Sequence, residues 1–267
     1  MGGMRSLMDQ WDCDFTIEKY EELCKSLLKN HYSILTVENF FAHYNAGQYL
    51  SRKIAIMRHD VDRNPKNALL MAKKENSLGI HATYYFRYPY TFKPDLIHRI
   101  SELGHEIGYH YEVLSKLNGD LTKSKLLFET ELKAMREICV VNTICMHGSP
   151  MSKYDNRELW KHYNFQDYGI KGEAYLSMEN MAIRYLTDTG RSWNGQRSIR
   201  DILAGTLPSL PIESTDQLIN WINTSTERSL YITVHPERWA PNTGEWIMSY
   251  SQDLMMNAGK NMLRVIR

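Results

Sequence analysis

The sequence has no surplus of charge of either sign: 32 Lys and Arg stand against 31 Asp and Glu in 267 residues. That balance gives no electrostatic reason to expect a polyanion partner, whether nucleic acid or an anionic membrane surface. Cysteine is scarce. The four present, Cys13, Cys24, Cys139 and Cys145, form no CxxC pair and no disulfide framework, as expected in a reducing compartment. No run of about 18 apolar residues occurs, so no membrane-spanning helix is expected. The first residues lack the apolar core of a secretory signal, and a cytoplasmic protein is expected. Gly2 with Ser6 fits the loose myristoylation pattern, but no polybasic second signal follows to make an anchor stable. No Pro/Gly/Ser-rich linker, charge block or internal repeat divides the chain, which argues for one compact body.

What is present is globular: 43% hydrophobic and 24% charged residues. The length suits a single α/β barrel of about 250 residues. Residues 1–50 are expected to form an N-terminal helical extension packed on a barrel spanning 51–267, with the boundary near Ser51. In the extension, Thr16 is placed to cap a helix over Ile17 to Lys29, with Ile17, Tyr20, Cys24, Leu27 and Leu28 as its apolar stripe. A short helix follows at Val37 to His43. From residue 54, short apolar runs alternate with helix-length amphipathic segments, the signature of βα units and a largely parallel sheet. Strands are expected at Ile54 to Arg58, His81 to Phe86, Glu106 to Tyr109, Thr143 to Met146 and Leu230 to Val234. Asn64, Pro65 and Gly79 bracket one helix; Pro94 to Leu103 and Leu121 to Ile138 form two more. After Pro150 the pattern loosens: a helix near Asn156 to Tyr163, apolar pieces at Ala174 to Leu176 and Ile183 to Leu186, and a helix near Asp216 to Asn223. A C-terminal helix lies between Thr243 and Val265.

Four expected strands end in ionisable side chains: Asp60 and Asp62 after the first, His110 and Glu112 after the third, His147 after the fourth, His235 after the last. In parallel α/β folds such groups converge on the face where ligands bind. Asp60 and Asp62 are two apart, so on extended backbone both leave one face, and keeping both charged calls for a cation or a shared proton. A carboxylate and imidazoles around a divalent ion, with a second carboxylate left as base, is equipment for metal-assisted hydrolysis, and His235 could protonate a leaving group. The competing reading of Asp62 is a turn-forming residue ahead of a helix cap. His59 and His105, of opposite parity, are expected to be structural.

These residues resemble the polysaccharide deacetylase superfamily, the NodB-homology or carbohydrate esterase type four group. Arg58-His59-Asp60-Val61-Asp62 resembles its first motif, and Leu78-Gly79-Ile80-His81-Ala82-Thr83-Tyr84-Tyr85-Phe86 its second strand. Gly104-His105-Glu106-Ile107-Gly108-Tyr109-His110 resembles the strand leading to the metal histidine, and Tyr231-Ile232-Thr233-Val234-His235-Pro236-Glu237 the last motif. The resemblance spans residues 54–239 in order. It implies a distorted (β/α) barrel of about seven parallel strands, a divalent metal, usually zinc, and hydrolysis of an N-acyl group on a sugar. By the same resemblance Asp60 is the general base, Asp62 and His110 are metal ligands, and His235 is the general acid.

Two departures stand out. The family's second metal histidine falls on Leu114, which leaves Glu112 as the nearest replacement and His147 as the alternative. The family's Arg-x-Pro-x-Gly motif is replaced by His147-Gly148-Ser149-Pro150, so the arginine beside the base has to come from elsewhere, with Arg58, Arg184 and Arg191 as candidates. For the substrate, Trp193 and Trp239 offer flat faces to a pyranose ring, and Asp188 with Arg191 offers polar contacts; the rival reading of each tryptophan is core packing. The expected partner is a carbohydrate, with no nucleic acid, no membrane span and oligomeric state unassigned. The first functional reading is an N-acyl sugar deacetylase, possible in cell-surface polysaccharide biosynthesis. The others are a non-catalytic sugar-binding scaffold with a degenerate metal site, motivated by Leu114, and a hydrolase of another amide.

Overall fold

A computed structural model describes residues 13–44, 52–196, 198 and 200–266. Gly2, Ser6 and the expected boundary at Ser51 lie outside them. Among the described residues a parallel sheet runs in the order β6 (Gly172–Glu173), β5 (Thr143–Met146), β4 (Glu106–Tyr111), β3 (Thr83–Phe86), β2 (Ile54–Val61), β8 (Ser229–Val234) and β7 (Arg184–Thr187). The seven strands of this path curl into a half-barrel flanked by helices, a distorted (β/α) barrel, and an eighth strand of the sheet pairs with β2 off the path. Every residue of β2 is buried, as a central strand covered on both faces requires.

The expected strand at Ile54 to Arg58 continues to Val61, in register with β3 from Arg58↔Thr83 to Val61↔Phe86. Asp60 is therefore held by the ladder and does not sit in a loop. Helix α3 (Pro65–Ser77) begins at Asn64 and Pro65 as the sequence predicts, yet Asn64 adopts φ 30° and its side chain makes no cap bond. The segment expected as a helix near Asn156 is a 3₁₀ turn, Asn156–Lys161.

The N-terminal segment supplies helix α1 (Ile17–Lys29), capped by Thr16 Oγ1 accepting from Lys19 N, and helix α2 (Val37–Tyr44). Between them Ser33–Leu35 forms β1, which pairs with β2 over Ile54 to Ile56, on the same side of β2 that β3 takes further along. Three residues are too few to show a period, which is why this strand escaped the sequence pattern. Phe41 of α2 lies against β6 so closely that a Cβ at Gly172 would come within 2.2 Å of its ring.

Behind β2, the buried Glu75 carboxylate of α3 ties layers together. It accepts from His59 Nε2 at 2.7 Å, from the Tyr84 hydroxyl at 2.6 Å and from the Tyr20 hydroxyl. His59 stacks on Tyr84, and His105 accepts from Ala82 N and donates to the Ala72 carbonyl. Both histidines thus face away from the strand-end cleft and serve packing.

Candidate active site

Alternation along β2 sends Arg58 and Asp60 to the face opposite His59. Arg58 is fully buried, with Nε donating to Thr233 Oγ1 at 2.9 Å, Nη1 to the Tyr231 hydroxyl at 3.0 Å, and its plane 4.1 Å from the Tyr175 ring. Its Nη2 lies 3.3 Å from Asp60 Oδ2 and 3.8 Å from Asp201 Oδ1. Of the three candidate arginines, this is the one that reaches Asp60. Arg184 is taken by Glu227, and Arg191 by Asp253 at 2.9 Å. The arginine was legible in the first motif itself, two residues before the aspartate.

Just beyond β2, Asp62 Oδ1 lies 3.1 Å from His110 Nε2 and 3.6 Å from His147 Nε2. Each imidazole is fixed from behind: His110 Nδ1 donates to the Cys145 carbonyl at 3.0 Å, and His147 Nδ1 to Glu112 Oε2 at 2.9 Å. The Nε2 atoms are therefore left to face Asp62. Glu112 is committed elsewhere, receiving Arg87 Nη2 on both oxygens at 2.9 Å as well as His147. The residue expected as the nearest replacement ligand thus has its carboxylate engaged by Arg87 and His147. It comes just after β4 ends, where the chain turns into the four-residue helix Val113–Lys116, and its carboxylate lies behind His147.

Electrostatics follow the geometry. Burial raises the Asp62 carboxyl, but His147 and His110 override it and hold it well below the usual carboxylate range. Burial likewise opposes ionisation of Glu112, yet His147 and Arg87 bring it to about 2. His147 feels burial pulling down and the Asp62 and Glu112 carboxylates pushing up, which leaves it at about 9.

Asp62 Oδ1 is buried and has no hydrogen-bond partner among the described residues. With both imidazoles neutral, three acceptors converge there, an arrangement that calls for a proton or a cation. One carboxylate and two imidazoles fit a divalent ion. Asp60, His110 and Cys145 form an overlapping set, with ligand atoms within 4.8 Å of one another. Burial holds the Cys145 thiol well above its ordinary value, so its sulfur is protonated, and it sits 3.8 Å from Asp60 Oδ1. Asp62, His110 and His147 form a second candidate set, in which the second nitrogen of each imidazole is already anchored.

On the opposite wall His235 donates from Nδ1 to Asp188 Oδ1 at 2.6 Å. Asp188 is completely buried and also accepts from His235 N and Trp239 Nε1, both at 2.9 Å. Burial and Arg238 pull the His235 pKa down, and the Asp188 carboxylate outweighs them, so the imidazole is raised above its ordinary value.

A cavity of about 450 Å³ brings Asp60, Asp62, His110, His147 and His235 together. It does not include the four residues expected to bind substrate. Trp193 and Trp239 are 1% and 0% exposed, with Phe15 packed against both, at ring separations of 6.4 and 5.1 Å. They are core residues, because the N-terminal segment covers them. Asp188 lies under His235, and Arg191, at φ 56°, turns to the C-terminal helix instead. Among the cleft residues given no role by the sequence reading are Glu237 and Asp201. Glu237 lies two residues past His235 with no periodic signal, and Asp201 lies in a stretch without strand or helix pattern; Asp201 accepts from Thr187, Thr189 and Tyr175.

No family model and no curated protein matches this chain. Among solved structures it is similar to a CE4 esterase from Streptococcus mutans, at 12% identity over 82% of this chain and 87% of that one, with a TM-score of 0.45. It is also similar to the peptidoglycan deacetylase PdaC from Bacillus subtilis, at 13% identity over 80% of this chain and 97% of that one, with a TM-score of 0.38. A single-residue variant of PdaC gives the same values.

Proposed function

We propose that this chain is a divalent-metal-dependent hydrolase that removes an N-acyl group, an N-acetyl in the first instance, from a sugar. The observation that carries this reading is the meeting, in one cleft, of an arginine-paired carboxylate, a three-donor cation site and a carboxylate-backed histidine on the far wall. Asp62, His110 and His147 would hold the ion, which when bound supplies Lewis-acid polarisation of the acyl carbonyl. Asp60, oriented by Arg58, takes the proton of the attacking water. His235, kept in one tautomer by Asp188, delivers a proton to the departing nitrogen. Zinc is the ion the donor set favours, since imidazole nitrogen and carboxylate oxygen are its common ligands.

Loss of a histidine at Leu114 was the motive for a non-catalytic scaffold, and His147 facing Asp62 supports a complete site instead. We further place the activity in the cytoplasm, in synthesis of a cell-surface polysaccharide; four free cysteines, two of them buried, accord with a reducing compartment.

The test is metal content of protein purified without chelator beside an Asp62→Ala/His110→Ala variant, followed by turnover of N-acetyl sugars, O-acetyl sugars and cyclic amides. Near-stoichiometric zinc lost in the variant, with release of acetate from N-acetyl sugars, is expected. Absence of metal even after zinc addition would return the scaffold reading, and turnover of cyclic amides alone would change the bond cleaved.

A further inference from the structure

A buried free cysteine ordinarily serves packing, because the thiol behaves as a small apolar group. Cys145 is placed otherwise. It stands on β5 in register with His110 of β4, and both side chains are buried. Its Sγ faces the Asp60 carboxylate, 3.8 Å from Oδ1 and 3.9 Å from Oδ2, with the Met146 carbonyl as a further acceptor at 3.6 Å. One ligand atom from each of Asp60, His110 and Cys145 lies within 4.8 Å of the other two. A tetrahedral ion at about 2.3 Å from sulfur and about 2.1 Å from oxygen sets those two donors about 3.6 Å apart, close to the separation between Cys145 and Asp60. Asp60 and His110 also line the cleft, so an ion can reach them from it, with the thiol behind.

This deep set shares one member with the Asp62, His110 and His147 set. His110 Nδ1 is committed to the Cys145 carbonyl, so Nε2 is the nitrogen left for an ion, and its one lone pair serves one ion. The two sets therefore compete for His110. They differ in chemistry as well. Asp62, His110 and His147 offer oxygen and imidazole nitrogen, whereas the deep set adds sulfur, which favours soft cations. They also differ in what they leave free. Asp60 stands outside the first set and is a ligand in the second: its Oδ2 faces Arg58 at 3.3 Å, and its Oδ1 is the oxygen nearer Cys145. Because Arg58 already places a positive charge beside Asp60, a cation settles there only with the thiolate as countercharge. The Cys145 proton passes to solvent as the metal–sulfur bond forms.

We propose that Asp60, His110 and Cys145 form an inhibitory seat for a thiophilic divalent cation such as cadmium. The inhibition rests on the reading of Asp60 as the base. An ion in this seat takes the Asp60 oxygen that would accept the proton of water, and it takes His110 from the other set, so turnover stops. Magnesium, which seeks oxygen ligands, has no such preference for the seat.

The test is titration of the full chain with cadmium chloride, read as thiolate-to-cadmium charge-transfer absorption in the near ultraviolet. Wild type is compared with Cys145→Ser, Cys145→Ala and Asp62→Ala/His147→Ala, with melting temperatures as the fold control. Wild type and Asp62→Ala/His147→Ala should gain the band, and both Cys145 variants should lose it. No band in wild type, or a band kept by the folded Cys145 variants and so owed to another cysteine, overturns the seat. The second arm is acetate release from N-acetyl sugars by zinc-loaded protein. Cadmium should silence wild type and spare each Cys145 variant relative to that variant's own starting rate. Turnover of wild type unaffected by cadmium, or inhibition equal in wild type and the Cys145 variants, overturns the inhibitory role. A band that depends on Cys145, in protein that releases no acetate even without cadmium, supports the seat and overturns the deacetylase reading.

Discussion

Glu112 is where the proposed site makes its sharpest claim, because sequence proximity to His110 points to a ligand, whereas its carboxylate lies behind His147 and is proposed as a brace. In Glu112→Gln the side chain keeps its size, and the amide oxygen can still accept from His147 Nδ1. What disappears is the charge behind a 2.9 Å bond and the bidentate partner of Arg87. Ser149 Oγ, 3.0 Å from His147 Nδ1, remains as a second support. Loss of such a supporting carboxylate typically weakens a metal site about 10- to 100-fold, or about 1.4–2.8 kcal/mol. Protonation adds a second readout. His147 at about 9 carries a proton at neutral pH, and an ion must displace it. Because the pKa is raised, the competition is strongest below it: at pH 7 it costs about 3 kcal/mol, and zinc affinity should rise about tenfold per pH unit up to about pH 9. Removing the Glu112 charge lowers the His147 pKa, so the variant's dependence should flatten between pH 7 and 9. The assay is competition against a chromogenic zinc chelator across that range, with melting temperatures as a fold control. Unchanged affinity at pH 9 would refute the brace, and a loss well beyond about 100-fold would make Glu112 a ligand after all.

Asp60→Asn should lower kcat by about 10²- to 10⁴-fold while zinc stays bound, since the base is lost and the three-donor site is not; turnover beside metal content checks this. Asp188→Asn removes the carboxylate that raises His235, so the alkaline limb of the kcat/KM profile, where the acid must still be protonated, should move to lower pH; a limb that stays put excludes His235 as the acid. Glu75→Leu leaves the Tyr20 and Tyr84 hydroxyls and His59 Nε2 without their acceptor and should cost about 3–5 kcal/mol by urea denaturation. With burial opposed by His59, Glu75 has a lowered pKa in the fold, so its contribution is present above its unfolded value and is lost as pH falls through the folded one. Glu75→Gln should therefore flatten the acid limb of the stability profile below about pH 4.5. Trp239→Ala should cost about 3–5 kcal/mol in stability, as a large core side chain does, and a stable variant with altered sugar preference would contradict its burial.

Residue spacing alone was enough to place Asp60, Asp62, His110, His147 and His235 at strand ends, because a βα alternation names the end of each strand and a parallel sheet brings those ends to one side. It also separated Asp60 from His59, since the strand period of two sends neighbours to opposite faces. Tertiary structure decided everything that depends on what a long side chain finds across the sheet. Arg58 meets Asp60 because Thr233 and Tyr231 of the neighbouring strand β8 hold its guanidinium, contacts more than 170 positions away in the chain. His147, not Glu112, faces Asp62 because Arg87 from the end of β3 claims the glutamate. Trp193 and Trp239 lost their place in the cleft to Phe15, which arrives from the other end of the chain. Period and parity are local properties written in the order of residues. The pairing of charges and the covering of aromatic faces are set by strand order, which no local window contains.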